Sequence, residues 1–285
     1  MASTDKSTYT QGYHRTVTAA HARRTAAVDA AFVLPHLTPS SRILDIGCGP
    51  GTITIGFGAY VPQGSVTGID LAEEVLAQAR EQLSTHDPAP TNVTFEAGNV
   101  LAGLQYADAS FDAVFTNQVL LHIPDPVAAL REMRRVCKPG GFVACREGDY
   151  PFRYYPFLPG LQIFSKYLYE MVHGVSTGLE FPSNAPHPEG TRTGSLVHVW
   201  GREAGFEPRL MTKKGAAVVA ATEEERRAFA EPMIGRLEVG GTGDRFRERG
   251  ASKEDVELVV SDLRKWIEDV DGWYCLVNAE VIMRK

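Results

Sequence analysis

At 285 residues and 44% apolar content the chain can bury a substantial core, as one large domain or as one domain with a sizeable insertion. A formal charge of -6, with no Lys/Arg-rich block, sets the long-range field against a phosphate backbone and excludes nucleic acid as an expected partner. Four cysteines without CxxC spacing frame neither a disulfide network nor a zinc site, and neither a signal-peptide core nor a membrane span of roughly 18 apolar residues is seen; a cytoplasmic protein without a metal centre is expected.

Val17, Ala20, Ala27, Val28, Ala31 and Leu34 recur at helical spacing, which predicts a helix over about 16–34 that Pro35 stops. "RILDI" (42–46) reads as a buried strand, "TITIGFGAYV" after the glycines as a helix, and "SVTGID" (65–70) as a second strand. "EEVLAQAREQL" (73–83) is a helix whose Val75, Leu76, Ala79 and Leu83 share one face. Strands follow over 92–100 and 111–121. Asp125 and Pro126 start a helix that "KPGG" ends before the strand "FVACRE". Strand and helix thus alternate, and because parallel strands need crossovers this predicts a doubly wound α/β sheet. After Glu147 the rhythm breaks into a segment dense in aromatics and prolines, read as an insertion. "SLVHVWGREAGFEP" is then a helix ended by Gly205, "RLMTKKGAAVVAA" a strand, and the stretch to about Val270 helical, with Ser252 and Asp255 as a capping box ahead of an apolar stripe. "CLVNAEVIMR" closes the chain as a strand.

The stretch "LDIGCGPGTIT" (44–54) strips the backbone of side chains where a strand turns into a helix, a turn suited to a dinucleotide or to S-adenosylmethionine. In the dinucleotide fingerprint a third glycine follows the second by three residues; Thr52 holds that position, and the glycines stand instead at Gly47, Gly49 and Gly51. An ordinary strand-to-helix turn satisfies these residues taken alone. Asp70 ends the second strand, where a carboxylate can accept from both hydroxyls of a ribose or, alternatively, cap the next helix. Asn99 offers a donor and an acceptor to an adenine edge, and Leu71 and Val100 can sandwich the ring. In a parallel sheet these strand ends open onto one crevice.

"LDIGCGPG", "GID", "AGNV", "TNQVLLHIPDP" and "LREMRRVCKPGGFV" together resemble class I S-adenosylmethionine-dependent methyltransferases, in particular the small-molecule branch related to the UbiE/COQ5 type. The resemblance is close over 42–146 and continues beyond it as a general layout. It implies a Rossmann-like, mainly parallel seven-stranded sheet with a late antiparallel strand, an N-terminal helical arm and a helical lid insertion. The corresponding organisation is an arm over 1–40, a cofactor-binding core over 41–150, an aromatic-rich lid over 151–191 and a segment completing the sheet over 192–285. The implied cofactor is S-adenosylmethionine, with Gly47, Cys48 and Gly49 passing beneath it, Cys48 as a small filler, and Asn117 and Gln118 facing it or bonding backbone. Tyr9 and Tyr13 precede the first helix, where relatives fold an arm over the cofactor; a packing role serves them equally. Many relatives have Asp where this chain has Asn99, which keeps the acceptor.

A sulfonium is already an activated methyl donor, so alignment and exclusion of water are the protein's main tasks. No GxSxG elbow, HExxH helix or local Cys/His pair is present, and none is required. His122, in "LLHIPDP" at the mouth of the fourth strand, is the first candidate for a general base, with Glu147, Asp149 and His173 behind it. Phe152, Tyr154, Tyr155, Phe157, Phe164, Tyr167, Tyr169 and Phe181 are expected to roof the crevice, which points to an apolar or aromatic small-molecule acceptor, or else to form the core of a helical subdomain. The alternative function is a protein of the same fold that binds the cofactor without methyl transfer.

Overall fold

The structure, a computed structural model, describes residues 24–176, 193–239 and 241–285. Tyr9, Tyr13 and Phe181 lie outside the described residues, as does the first part of the predicted N-terminal helix. Strands β1 (Arg42–Ile46), β2 (Ser65–Asp70), β3 (Val93–Ala97), β4 (Phe111–Asn117), β5 (Cys137–Tyr155), β6 (Met211–Ala220) and β7 (Trp273–Arg284) form one sheet in the order β3-β2-β1-β4-β5-β7-β6. The first five pair in parallel, and β7 runs antiparallel between β5 and β6, so the Rossmann-like sheet with one reversed late strand is as expected. Chain order reverses between β1 and β4, whose carboxyl ends therefore part to leave a crevice.

The flanking helices are α1 (Ala26–Asp29), α2 (Thr52–Gly58), α3 (Glu73–Thr85), α4 (Pro126–Val136), α5 (Pro159–Ser176), α6 (Thr193–Glu203), α7 (Glu223–Glu238), α8 (Thr242–Glu248) and α9 (Lys253–Glu268). Period-2 alternation divides the sheet: Val114, Val143 and Val281 enter one apolar layer, while Phe115, Ala144 and Ile282 enter the other. A third core, separate from both, packs α5 and α7 to α9 against Leu121, Phe152 of β5, Ala220 of β6 and Tyr274 and Leu276 of β7. The capping box at Ser252 and Asp255 forms as predicted, and a second one at Thr222 and Glu225 opens α7. No helix among the described residues is long and apolar enough to cross a membrane.

Three differences from the sequence expectation have local causes. The helix predicted to reach Leu34 is one turn in its described part: the Thr25 hydroxyl accepts from Val28 N–H, the Asp29 carboxylate accepts from Thr25 N–H, and the chain then turns into a short 3-10 segment at Leu34–His36. Strands β3 and β4 end early. Gly98 and Asn99 bend the chain at the first, and Gln118, with φ of +58, turns it at the second. Strand β5, in contrast, runs eight residues past its predicted end to Tyr155, pairing Tyr154 and Tyr155 with Tyr274 and Trp273 of β7. A register shift between Asp149 and Arg153 brackets Pro151, which has no N–H to give a ladder.

The aromatic run has been redistributed accordingly. Phe152, Phe164 and Tyr167 are buried with Phe246, Trp266 and Tyr274 in the core of the helical cap, and Tyr169 is also buried. For these rings the helical-subdomain alternative holds. Phe164 and Tyr167 of α5 face Phe246 of α8, and Trp266 of α9 faces Phe229 of α7, because that is where their apolar area can be removed from water. Tyr155 and Phe157 remain exposed, at 49% and 82%.

Candidate active site at the carboxyl ends of the strands

The chain leaves β1 through Gly47, Gly49 and Gly51, all left-handed, with φ of +68, +54 and +84. Gly47 and Cys48 donate their N–H groups to Ile69 O at 2.8 and 3.0 Å, fastening the turn to β2. The three positions need glycine for different reasons. A Cβ on Gly47 would stand 2.5 Å from Val119 Cγ2, and one on Gly51 2.5 Å from the Phe95 ring. A Cβ on Gly49 would meet nothing within 4 Å. Backbone conformation there is combined with open space, the arrangement a close-approaching ligand requires.

Beneath the turn, buried Asp45 accepts from the Thr54 hydroxyl at 2.7 Å, and burial pushes its pKa up to about 7 against that bond. Asp70, at the end of β2, accepts from Gly49 N–H at 3.0 Å and from Ala72 N–H at 3.2 Å. Burial raises its pKa, and the backbone N–H bonds oppose that rise. Leu71 beside it is 46% exposed, whereas Val100 is buried in the sheet's apolar layer, so Leu71 is the one that offers open surface. Asn99 accepts from Leu101 N–H through Oδ1 at 2.9 Å; its carbonyl is thereby engaged in the turn, leaving Nδ2 as the donor it can present.

On the far side of the crevice Asn117 is buried, accepts from the Arg146 guanidinium at 3.3 Å, and its Nδ2 has no partner among the described residues. Gln118 donates its N–H to Arg146 O at 2.8 Å and its amide to Asn278 Oδ1. Its side-chain donor is thus turned to β7, the backbone-and-polar alternative to facing a cofactor. Arg146 also approaches Asp29 at 3.2 Å and Glu280 at 3.6 Å, tying the segment before β1 to the sheet. His122 ends the 3-10 turn Leu120–His122 and is half-buried; desolvation first, then Arg24 and Arg236, lower its pKa to about 3. Glu147, a secondary candidate from sequence, is fully buried, with its pKa pushed up by burial to about 7. Two charged residues inside the apolar strand "FVACRE" were the available signal for this buried polar group.

Asp45 and Glu147 share a consequence for stability. Their native pKa values lie above those of exposed carboxylates, so between about pH 4 and 7 the native state binds more protons than the unfolded one. The stabilising contribution is complete at the acidic end and is lost as pH rises through 7, by up to about 1.4 kcal/mol per pH unit for each group. Lowered pKa values at His122 and His36 oppose this fall up to about pH 6.5, so the test is a difference: urea unfolding from pH 5 to 7 should show Asp45→Asn losing a component of stability that falls with pH in the wild type. An unchanged slope in that variant would refute the buried-acid assignment.

A sheet with this strand order, a glycine turn after its first strand and a carboxylate closing its second defines the class I S-adenosylmethionine-binding fold. A methyltransferase-domain family matches residues 37–173. Over 287 residues the chain is 31% identical to an uncharacterized methyltransferase of Schizosaccharomyces pombe, covering 99% of this chain and 98% of the relative. Demethylmenaquinone methyltransferase of Shouchella clausii is 40% identical over 109 residues, which is 38% of this chain and 45% of that protein. The solved structure of the cyclase SpnF shares the fold, with a TM-score of 0.53 and 22% identity, covering 90% of this chain and 84% of that one. The chain belongs to the S-adenosylmethionine-dependent methyltransferases of class I.

Proposed function

We propose that the acceptor is an apolar or aromatic small molecule held between the helical cap and the carboxyl ends of β4 and β5, and that methyl transfer proceeds by in-line displacement. The observation that carries this reading is the open space at Gly49 in a turn whose Gly47 packs against Val119, the residue before Leu120 of the sheet core and Leu121 of the cap core. Partly buried Tyr154, Ile163, Phe229 and Met233 fringe the cap core and supply apolar surface. The motifs that resemble the UbiE/COQ5 branch lie within 42–146, and the likeness to the Shouchella clausii protein extends over 38% of the chain. The acceptor is therefore argued from the cap.

In this reading the arm is 1–40, the cofactor core 41–150, the lid 151–191, whose first residues to Tyr155 still belong to β5, and 192–285 the completion of the sheet with a helical segment that joins the cap. Residues 1–23, 177–192 and 240 of these ranges lie outside the described residues. Gly47, Cys48 and Gly49 run under the methionyl portion of the cofactor, Asp70 holds the ribose, and Leu71 and Asn99 border adenine, with Val100 buried behind them. Asn117 borders the transferring end, Gln118 beside it being turned to Asn278 of β7, and Tyr13, outside the described residues, is assigned to the arm. When bound, the group supplies a sulfonium-activated methyl. The residues' work is then to align the acceptor atom and exclude water. Incubation with methyl-labelled S-adenosylmethionine and a panel of phenols, quinols, amines and polar acids tests the acceptor class; labelling confined to the polar acids would defeat it.

His122 is the proposed base, and its depressed pKa defines how it can act. It is neutral throughout the physiological range and accepts a proton readily only from an acceptor that is itself acidic. His122→Ala should lower kcat by about tenfold to a hundredfold while leaving S-adenosylhomocysteine affinity nearly constant. Equal kcat in the two proteins would remove His122 from the chemistry.

A further inference from the structure

Strand β5 carries two adjacent charged residues into the sheet. Of the two, only Arg146 is within salt-bridge distance of an opposite charge among the described residues, while Glu147 feels Arg24 from farther away. Arg146 reaches Asp29 and Glu280. Glu147 instead accepts, through Oε1, the backbone N–H groups of Val119 at 3.0 Å and Leu120 at 2.9 Å; Leu121 N–H also lowers its pKa, and no donor among the described residues lies at hydrogen-bond distance from the buried Oε2. Both N–H groups belong to the turn that leaves β4, immediately after the left-handed Gln118. At that point the chain has left the ladder and its amides need another acceptor. One oxygen, fixed in position by β5, serves both.

That turn forms a wall of the cofactor site. The Val119 side chain lies so close over Gly47 that no Cβ would fit between them. Leu120 is buried in the sheet's apolar layer, Leu121 in the cap core, and His122 ends the turn. A carboxylate is an expensive way to fill a buried space, because desolvation penalises its charge and an apolar side chain of similar volume would pack there without that penalty. What an apolar group could not do is accept the two N–H groups, and without an acceptor those amides are buried orphans that the turn must rearrange to satisfy.

We infer that Glu147 is a positioning residue: from β5 it holds the backbone of Val119 and Leu120 so that Val119 walls the cofactor turn at Gly47 and His122 stands at the crevice mouth. It acts through the turn and does not itself touch the cofactor. The inference rests on the glycine turn being the cofactor site.

Titration calorimetry with S-adenosylhomocysteine, accompanied by thermal melts, tests it on the wild-type protein and two variants. Glu147→Leu should melt cooperatively and bind at least about tenfold more weakly, and Glu147→Gln, whose amide oxygen can still accept, should recover affinity to within about threefold of wild type. A carboxylate with a purely structural role would move the melting temperature alone. Equal affinity in wild type and Glu147→Leu overturns this inference while leaving the cofactor site standing; a wild-type protein that binds no S-adenosylhomocysteine overturns both. Should Glu147→Leu fail to fold, amide hydrogen exchange of the wild type decides. Ligand binding should slow exchange at Val119 and Leu120 by about tenfold or more, the reciprocal of their effect on the ligand. Unchanged exchange at these two amides overturns the proposal.

Discussion

Gly49→Ala should fold almost as well as the wild type and bind S-adenosylhomocysteine at least about a hundredfold more weakly, near 2.7 kcal/mol. The folding penalty is limited to placing an alanine at φ of +54, about 1–2 kcal/mol, because its methyl group would touch no protein atom within 4 Å. The affinity penalty arises because that methyl group projects into the space a ligand must enter to reach the turn. Gly51→Ala gives the opposite result. There φ is +84 and the new Cβ stands 2.5 Å from Phe95 Cζ and 2.9 Å from Ala79 Cβ, so about 1–3 kcal/mol of overpacking adds to the backbone strain. Urea melts and calorimetry on the pair separate a position kept open for a ligand from one closed by packing. Unchanged affinity in a folded Gly49→Ala protein would show that the cofactor does not pass over this glycine.

The part of the fold that is legible in the sequence is the part whose signals are local. Each parallel crossover has its own strand, turn and amphipathic helix, and Ser252 with Asp255 announces α9 within four residues. The extension of β5 is invisible by the same standard. "GDYPFRYY" becomes strand only because Tyr154 and Tyr155 find Tyr274 and Trp273 more than a hundred residues later, and Pro151 is tolerated there at a register shift. The aromatics of the cap behave alike: Phe164 and Tyr167 are committed to Phe246, a contact that no spacing within the insertion reveals.

At the site, the glycines and Asp70 are readable because their residue types and spacing follow directly from what the turn must do. The geometry after β4 is not readable. Gln118 is an uncommon residue for a left-handed position, and it is held there by Arg146 O, while Glu147 fixes the two amides that follow. A pair of charges in an apolar strand marks a buried polar group, yet whether it answers an ion, a backbone turn or a ligand depends on neighbours that arrive from β4, β7 and the segment before β1.

Asp70→Ala should weaken S-adenosylhomocysteine binding by about 3 kcal/mol, roughly 150-fold, because two losses coincide. The carboxylate accepts from Gly49 N–H and Ala72 N–H, so it shapes the glycine turn before any ligand arrives. Its remaining lone pairs are those proposed to receive the ribose hydroxyls. Asp70→Asn separates the two contributions: one carbonyl oxygen remains to accept from Gly49 or from a ribose hydroxyl but cannot serve every partner, and the loss should be intermediate. The raised pKa of Asp70 supplies an independent readout. Protonation removes an acceptor and the negative charge together, so wild-type affinity should decline as pH falls through the native pKa of Asp70, whereas the Asp70→Asn protein should lose that component of the dependence. A folded Asp70→Ala protein with wild-type affinity would mean that the carboxylate only caps the turn into α3, and the ribose would have to be held by another residue at the crevice.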